Sequence, residues 1–161
     1  MKKDVCINSY SKFASGKEGV ICTLDSDQYM KELTEELEKL GFNNNDELFI
    51  EDWIDGDDYE LKQCSPFEAL KLMKLIGDEN EELFIAIVEV EGLGEAKIAL
   101  EHDFEDYSFF PEWTGADYKE DEVNSYYEIP SWLVSYIDYE KMAEEDDGLT
   151  ELHNGVLICH Y

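Results

Sequence analysis

Carboxylates dominate the chemistry open to this chain: 41 Asp and Glu stand against 12 Lys and no Arg, a formal charge of −29. Their spacing recurs. Acids two apart on a strand project from one face roughly 6.6 Å apart, and acids three or four apart on a helix sit about 5–6 Å apart. Such spacings join Asp25 to Asp27, Glu32 to Glu36, Glu35 to Glu38, Asp55 to Asp57 beside Asp58, Glu101 to Asp103 and Glu105, Asp117 to Asp121 and Glu122, and Glu140 to Glu144. Asp52 and Asp138 extend the series. One pair with separated pKa values could do acid–base work, but pairs this common single none out. The array as a whole has a different capacity. Duplex DNA carries one charge per ~1.7 Å of axis, and a dense carboxylate surface can imitate that row of phosphates.

Other reactive groups are sparse. His102, His153 and His160 are the imidazoles, and none lies in an H-E-x-x-H, G-x-S-x-G, G-x-G-x-x-G or G-K-[ST] string. No catalytic residue and no cofactor are expected. Cys6, Cys22, Cys64 and Cys159 form no C-x-x-C pair, so reduced thiols are expected, with Cys6 and Cys22 as small core residues of neighbouring strands. Asp55-x-Asp57 with Asp58 and Glu60 departs from a calcium loop, because Tyr59 holds the fifth position and Glu60 stands where Gly belongs. No metal site is expected there.

The charge also excludes partners. Nucleic acid and anionic membranes would have to approach a strongly negative field, so neither is expected to bind. No stretch nears 18 apolar residues, and no apolar run follows Met1-Lys2-Lys3-Asp4-Val5, which together point to a cytoplasmic protein. Aromatic residues make up 13% of the chain and are spread along it, too much buriable surface for a disordered acidic tail. The charge is uneven: residues 1–75 carry −8 and residues 76–161 carry −21.

The elements that must position these groups read as α+β. Residues 5–10 and 19–24 form antiparallel strands around the turn cluster 15–18. Asp25 or Ser26 caps a helix in which Tyr29, Met30, Leu33, Leu37 and Leu40 recur, with Gly41 as its stop. Residues 47–53 form a third strand. Ser65-Pro66 opens a helix that ends at Gly77. The apolar run 83–88 suits a strand by local propensity. Residues 93–100 read as a short helix, 104–111 as a strand, and 117–127 and 131–143 as helices. Asn154-Gly155 marks a type I′ hairpin turn.

Three segments, in order, resemble the ArdA antirestriction family: residues 5–16, residues 47–53, and Ile129-Pro130-Ser131-Trp132-Leu133-Val134-Ser135-Tyr136-Ile137-Asp138-Tyr139-Glu140. The closing His153-Asn154-Gly155-Val156-Leu157-Ile158 is similar to the family's terminal hairpin. Glu51 stands where the family's second motif carries a histidine, Gly19-Val20-Ile21-Cys22 replaces its glycine-x-tryptophan, and Glu144 lies near an expected arginine. The resemblance implies an elongated homodimer of three small domains: an N-terminal antiparallel sheet with a helix (1–60), a small central helical domain (61–102), and a C-terminal α+β domain ending in a hairpin (103–161) through which two subunits join. It turns the reading of 82–90 from strand to helix. The implied activity is that of a DNA mimic occupying the DNA-binding groove of type I restriction-modification enzymes, with the acids named above as phosphate surrogates. Two subunits would carry twice −29, the charge of about 100 Å of duplex. The alternatives are an acidic decoy of another DNA-binding or anti-CRISPR target and a small carboxylate-dependent hydrolase.

Overall fold

A computed structural model describes residues 1–43, 45–54 and 64–160. Asp55, Asp57 and Asp58 lie outside the described residues. The protein is α+β and divides into two compact units, Met1–Glu81 and Glu82–Tyr161.

In the first unit, strand β1 (Lys2–Ser9) lies between β2 (Val20–Asp25) and β3 (Leu48–Trp53), antiparallel to both. Alternation sends Val5 and Ile7 of β1 and Cys22 and Leu24 of β2 inward. Helix α2 (Met30–Lys39) buries Leu33 and Leu37, and its Glu36 reaches the Cys22 thiol, which sets the helix over that face. Register pairs Val5 with Cys22 and Cys6 with Ile21, so the two cysteines point to opposite faces. Cys22 is a core residue, and burial with the nearby Glu36 pushes its thiol up to about 12; Cys6 is half-buried on the outer face.

Two local expectations fail in this unit. The first strand does not run through Tyr10, because Ser9 accepts from the Lys12 amide (3.3 Å) and caps a short helix, α1 (Tyr10–Ala14). Asp25 and Ser26 do not cap α2. Asp25 instead accepts from the Asp27 amide in a turn (3.1 Å), and the helix starts after Tyr29, whose amide donates to Glu32 (2.8 Å). Gly41 ends it in the left-handed region (φ 87°). Helix α3 (Pro66–Ile76) has the expected start, with Ser65 Oγ accepting from the Phe67 amide and Glu68 accepting from the Ser65 amide (both 3.3 Å). It buries Ala69, Leu70, Met73 and Ile76.

Residues 81–91 are helical (α4, Glu81–Glu91), as the family resemblance implies and against their strand propensity. Among the described residues both sheets are complete without them, and a lone strand would leave its backbone groups unpaired. A 3-10 turn (Asp78–Asn80) precedes α4, and α5 (Leu93–Glu101) follows the left-handed Gly92.

The second unit pairs β6 (Gly155–Cys159) with β4 (Tyr107–Pro111) on one side and β5 (Leu149–Leu152) on the other, all antiparallel. Helix α6 (Gly115–Tyr126) is capped by Thr114. The expected helix 131–143 is broken into α7 (Ser131–Val134) and α8 (Tyr139–Glu144). Val134, Ser135, Tyr136 and Ile137 are poor helix formers; the Tyr136 and Ile137 amides make three-residue turns to Leu133 and Val134, and Asp138 caps a fresh helix by accepting from the Lys141 amide (3.1 Å). The terminal hairpin forms, but Leu152 pairs with Gly155, so His153 and Asn154 occupy its corner. Neither has a positive φ, which rules out the type I′ turn. Gly155 sits inside β6, where a Cβ would lie 2.9 Å from the Pro111 Cα.

Candidate functional site

The predicted acids fall into clusters on each unit. At the end of β2 and along α2, Asp25, Asp27, Glu32, Glu35 and Glu36 line one open cleft of about 740 Å³ together with Lys2 and Lys39. Lys2 pairs with Asp25 (3.2 Å), and Lys31 lies 3.7 Å from Glu35. The Asp25 carboxyl is held below the ordinary range by the Asp27 amide and then by Lys2. Asp52 lies exposed on β3 opposite Cys6.

Beside it, the β1–β3 register skips from Cys6–Asp52 to Ile7–Ile50, leaving Glu51 as the extra residue of a bulge. Asn8, fully buried, donates from Nδ2 to Glu51 (3.1 Å) and to the Lys17 carbonyl (3.1 Å). Gly19 fits under this carboxylate, since a Cβ there would stand 2.7 Å from Glu51 Oε2. The departures from the family motif at Glu51 and Gly19 thus meet at one place. Nothing in the spacing of the sequence announces that meeting, because it depends on the bulge.

In the second unit, Glu101, Asp103 and Glu105 do not share a strand face. Glu101 ends α5, and Asp103 and Phe104 follow in the left-handed region (φ 52° and 57°), so the chain turns through the series. Asp117 and Asp121 of α6 lie with Glu120 and Trp113 along a shallow groove of about 450 Å³. Asp117 also closes the Thr114 cap, and the Thr114 hydroxyl and amide hold its carboxyl below the usual range. Glu140 and Glu144 of α8 line a separate cleft of about 480 Å³ with Asp146 and Glu151. Asp138 is exposed at the α8 cap.

Glu122 alone among the predicted acids of this unit is tied to a buried cation. Lys119, 7% exposed, donates to Glu122 (2.7 Å) and pairs with Asp146, whose other oxygen accepts from the Gly148 amide (2.9 Å). Burial pulls the Lys119 ammonium down, but its hydrogen bonds to Asp146 and Glu122 outweigh it and the net shift is upward; the same contact with Lys119 holds Asp146 below its usual range. A depressed carboxyl stabilises above its unfolded value of about 3.9 and loses that contribution as pH falls through the folded value. A raised ammonium stabilises below about 10.4 and loses that contribution as pH rises through its folded value. The pair therefore persists from roughly pH 4 to pH 10.

Sequence reading missed Lys119, Asp146, Glu151 and Glu120 as participants. A Lys three residues before a Glu reads as an ordinary surface pair, and only tertiary packing buries it.

Of the 19 acids in the spaced series, 16 are described; 13 of these are exposed and three, Asp25, Glu36 and Glu122, are half-buried. Among the described residues no group of His, Cys, Asp and Glu has the geometry of a metal site, and no helix is long and apolar enough to cross a membrane. The arrangement suits recognition of a basic surface by many separate contacts. Compared with known families, residues 5–157 match the model of the antirestriction protein ArdA. No curated protein matches the chain.

Proposed function

The chain belongs to the ArdA antirestriction family, and from that membership we propose that it is a DNA mimic that fills the DNA-binding groove of type I restriction-modification enzymes in the bacterial cytoplasm. Its carboxylates stand for phosphates, and it acts by occupancy, without a catalytic residue or cofactor. The observation that carries this reading is the outward placement of the predicted acids: none of those described is buried, and among the described residues lysine partners reach only Asp25, Glu35 and Glu122. A carboxylate free of a cation projects its field to a partner, whereas a paired one is largely neutralised.

The working form in this proposal is a homodimer joined through residues 103–161, with 1–60 and 61–102 as the preceding segments of each subunit. Support comes from Tyr126, Tyr127, Trp132 and Tyr136, each between 68% and 79% exposed. Aromatic exposure on that scale marks a surface for association, and on so acidic a chain it is the place where two like-charged copies can gain contact.

The test is competition. A purified type I methyltransferase is titrated with a labelled duplex carrying its site, and the protein is added at rising concentration. Displacement of the duplex, weakening as salt increases, is the expected outcome. An unlabelled duplex that displaces while the protein does not would overturn the mimic reading.

A further inference from the structure

We propose that Lys119 is a positioning residue for inhibition: its buried ammonium pins α6 to the segment after α8, setting the spacing of the acids that those helices present. Helix α6 carries Asp117, Glu120 and Asp121 and helix α8 carries Glu140 and Glu144, so their packing joins two acidic helices. Two contacts hold them. Gly115 opens α6 against Ala143 of α8 so closely that a Cβ would stand 2.8 Å from the Ala143 Cβ. About one turn along, Lys119 binds Glu122 on its own helix and Asp146 just beyond α8. Asp146 in turn accepts from the Gly148 amide, which shapes the entry to β5. An exposed lysine could also offset the repulsion, but it would dim the outward field. Lys119 supplies its charge from inside and leaves Asp117, Asp121, Glu140 and Glu144 without a lysine partner among the described residues.

The inference rests on the DNA-mimic reading, and its test separates the two. Inhibition of a type I methyltransferase and thermal melting are measured for the parent, for Lys119→Met, and for the triple variant Lys119→Met/Glu122→Gln/Asp146→Asn. Glu128→Gln, an exposed change that matches the triple variant's net charge of −28, serves as control. Removing one partner of a buried pair leaves uncompensated charge, so Lys119→Met is expected to melt about 10 °C lower. The triple variant removes that imbalance and is expected to regain most of the melting temperature. Its inhibition should still be about tenfold weaker than that of the control, the scale of one coupled contact. Hydrogen exchange should be faster at 139–148 in the triple variant and unchanged in β1–β3.

Recovery of full potency along with stability would make Lys119 a stabiliser only and overturn the inference. So would unchanged exchange at 139–148. A parent without inhibition would overturn the mimic reading and this inference with it, whereas an active parent matched by the triple variant overturns the inference alone.

Discussion

The first unit, residues 1–81, holds nine Lys against 20 acids, and the second, residues 82–161, holds three against 21. Cations are dispersed through the first: Lys2 meets Asp25, Lys3 is buried against Glu81 (2.7 Å), Lys74 donates to the Ser26 carbonyl (2.7 Å), and Lys12 lies 3.9 Å over the Phe42 ring. In the second, Lys119 is buried and Lys141 lies 3.7 Å from Glu145 across an exposed helical turn, a separation at which such pairs contribute little. The two regions show different ways to fold an acidic chain. One offsets its charge locally. The other keeps nearly all of it on display and relies on a small-residue contact and one internal cation.

The largest expected effect tests the ordinary core of the first unit. Leu33→Ala removes a fully buried side chain and should cost about 3 kcal/mol in chemical denaturation. A loss below about 1 kcal/mol would mean that α2 is not held by burial, and the contrast with the second unit would weaken. Next is Gly115→Ala, whose methyl would meet both Ala143 and Leu149 (3.1 Å). Overpacking there should cost about 2 kcal/mol. Wild-type stability would show that the α6–α8 contact can yield, contrary to its role in holding two acidic helices together.

Salt gives a smaller effect that sharpens the comparison directly. Screening within a Debye length of about 8–10 Å relieves self-repulsion, so added sodium chloride should raise melting by about 2–4 °C. The same screening should weaken the grip on the target. Hydrogen exchange across the salt series should show greater added protection in α6 and β4–β6 than in β1–β3. Equal protection in both, or melting that falls with salt, would remove charge as the difference between the units.

The smallest effect belongs to single acids. Asp138→Asn keeps an α8 cap, because Asn serves that position as well as Asp, and Asp52→Asn changes an exposed strand residue. Each should alter inhibition by less than about twofold, since one contact among many screened ones is lost. Abolition of inhibition by either, with the fold intact, would locate a focal site and end the distributed picture.

Much of the local structure is legible in the chain itself. The Leu33–Leu37 stripe, Gly41, and the Ser65-Pro66 start with Glu68 each encode a helix boundary or face through contacts within a few residues. Composition fixes the charge, and residue order fixes its imbalance between the two halves and the scarcity of catalytic motifs, because none of these depends on packing. The apolar run 83–88 is different: strand and helix bury it equally well, and the choice turns on whether a partner strand exists elsewhere. The break at 135–138 and the hairpin corner at His153-Asn154 are set locally, by the Asp138 cap and by the pairing of Leu152 with Gly155, in competition with the helical run and the Asn-Gly signal that the chain also carries. Function follows the case of the apolar run. Sequence supplies the carboxylates, but which of them converge, and that Lys119 joins Asp146 across 27 residues while Asn8 holds Glu51 across 43, only the tertiary structure decides. The reason is physical: spacing along a chain sets which side chains share a face, whereas burial, bulges and ion pairs depend on what another segment brings to that face.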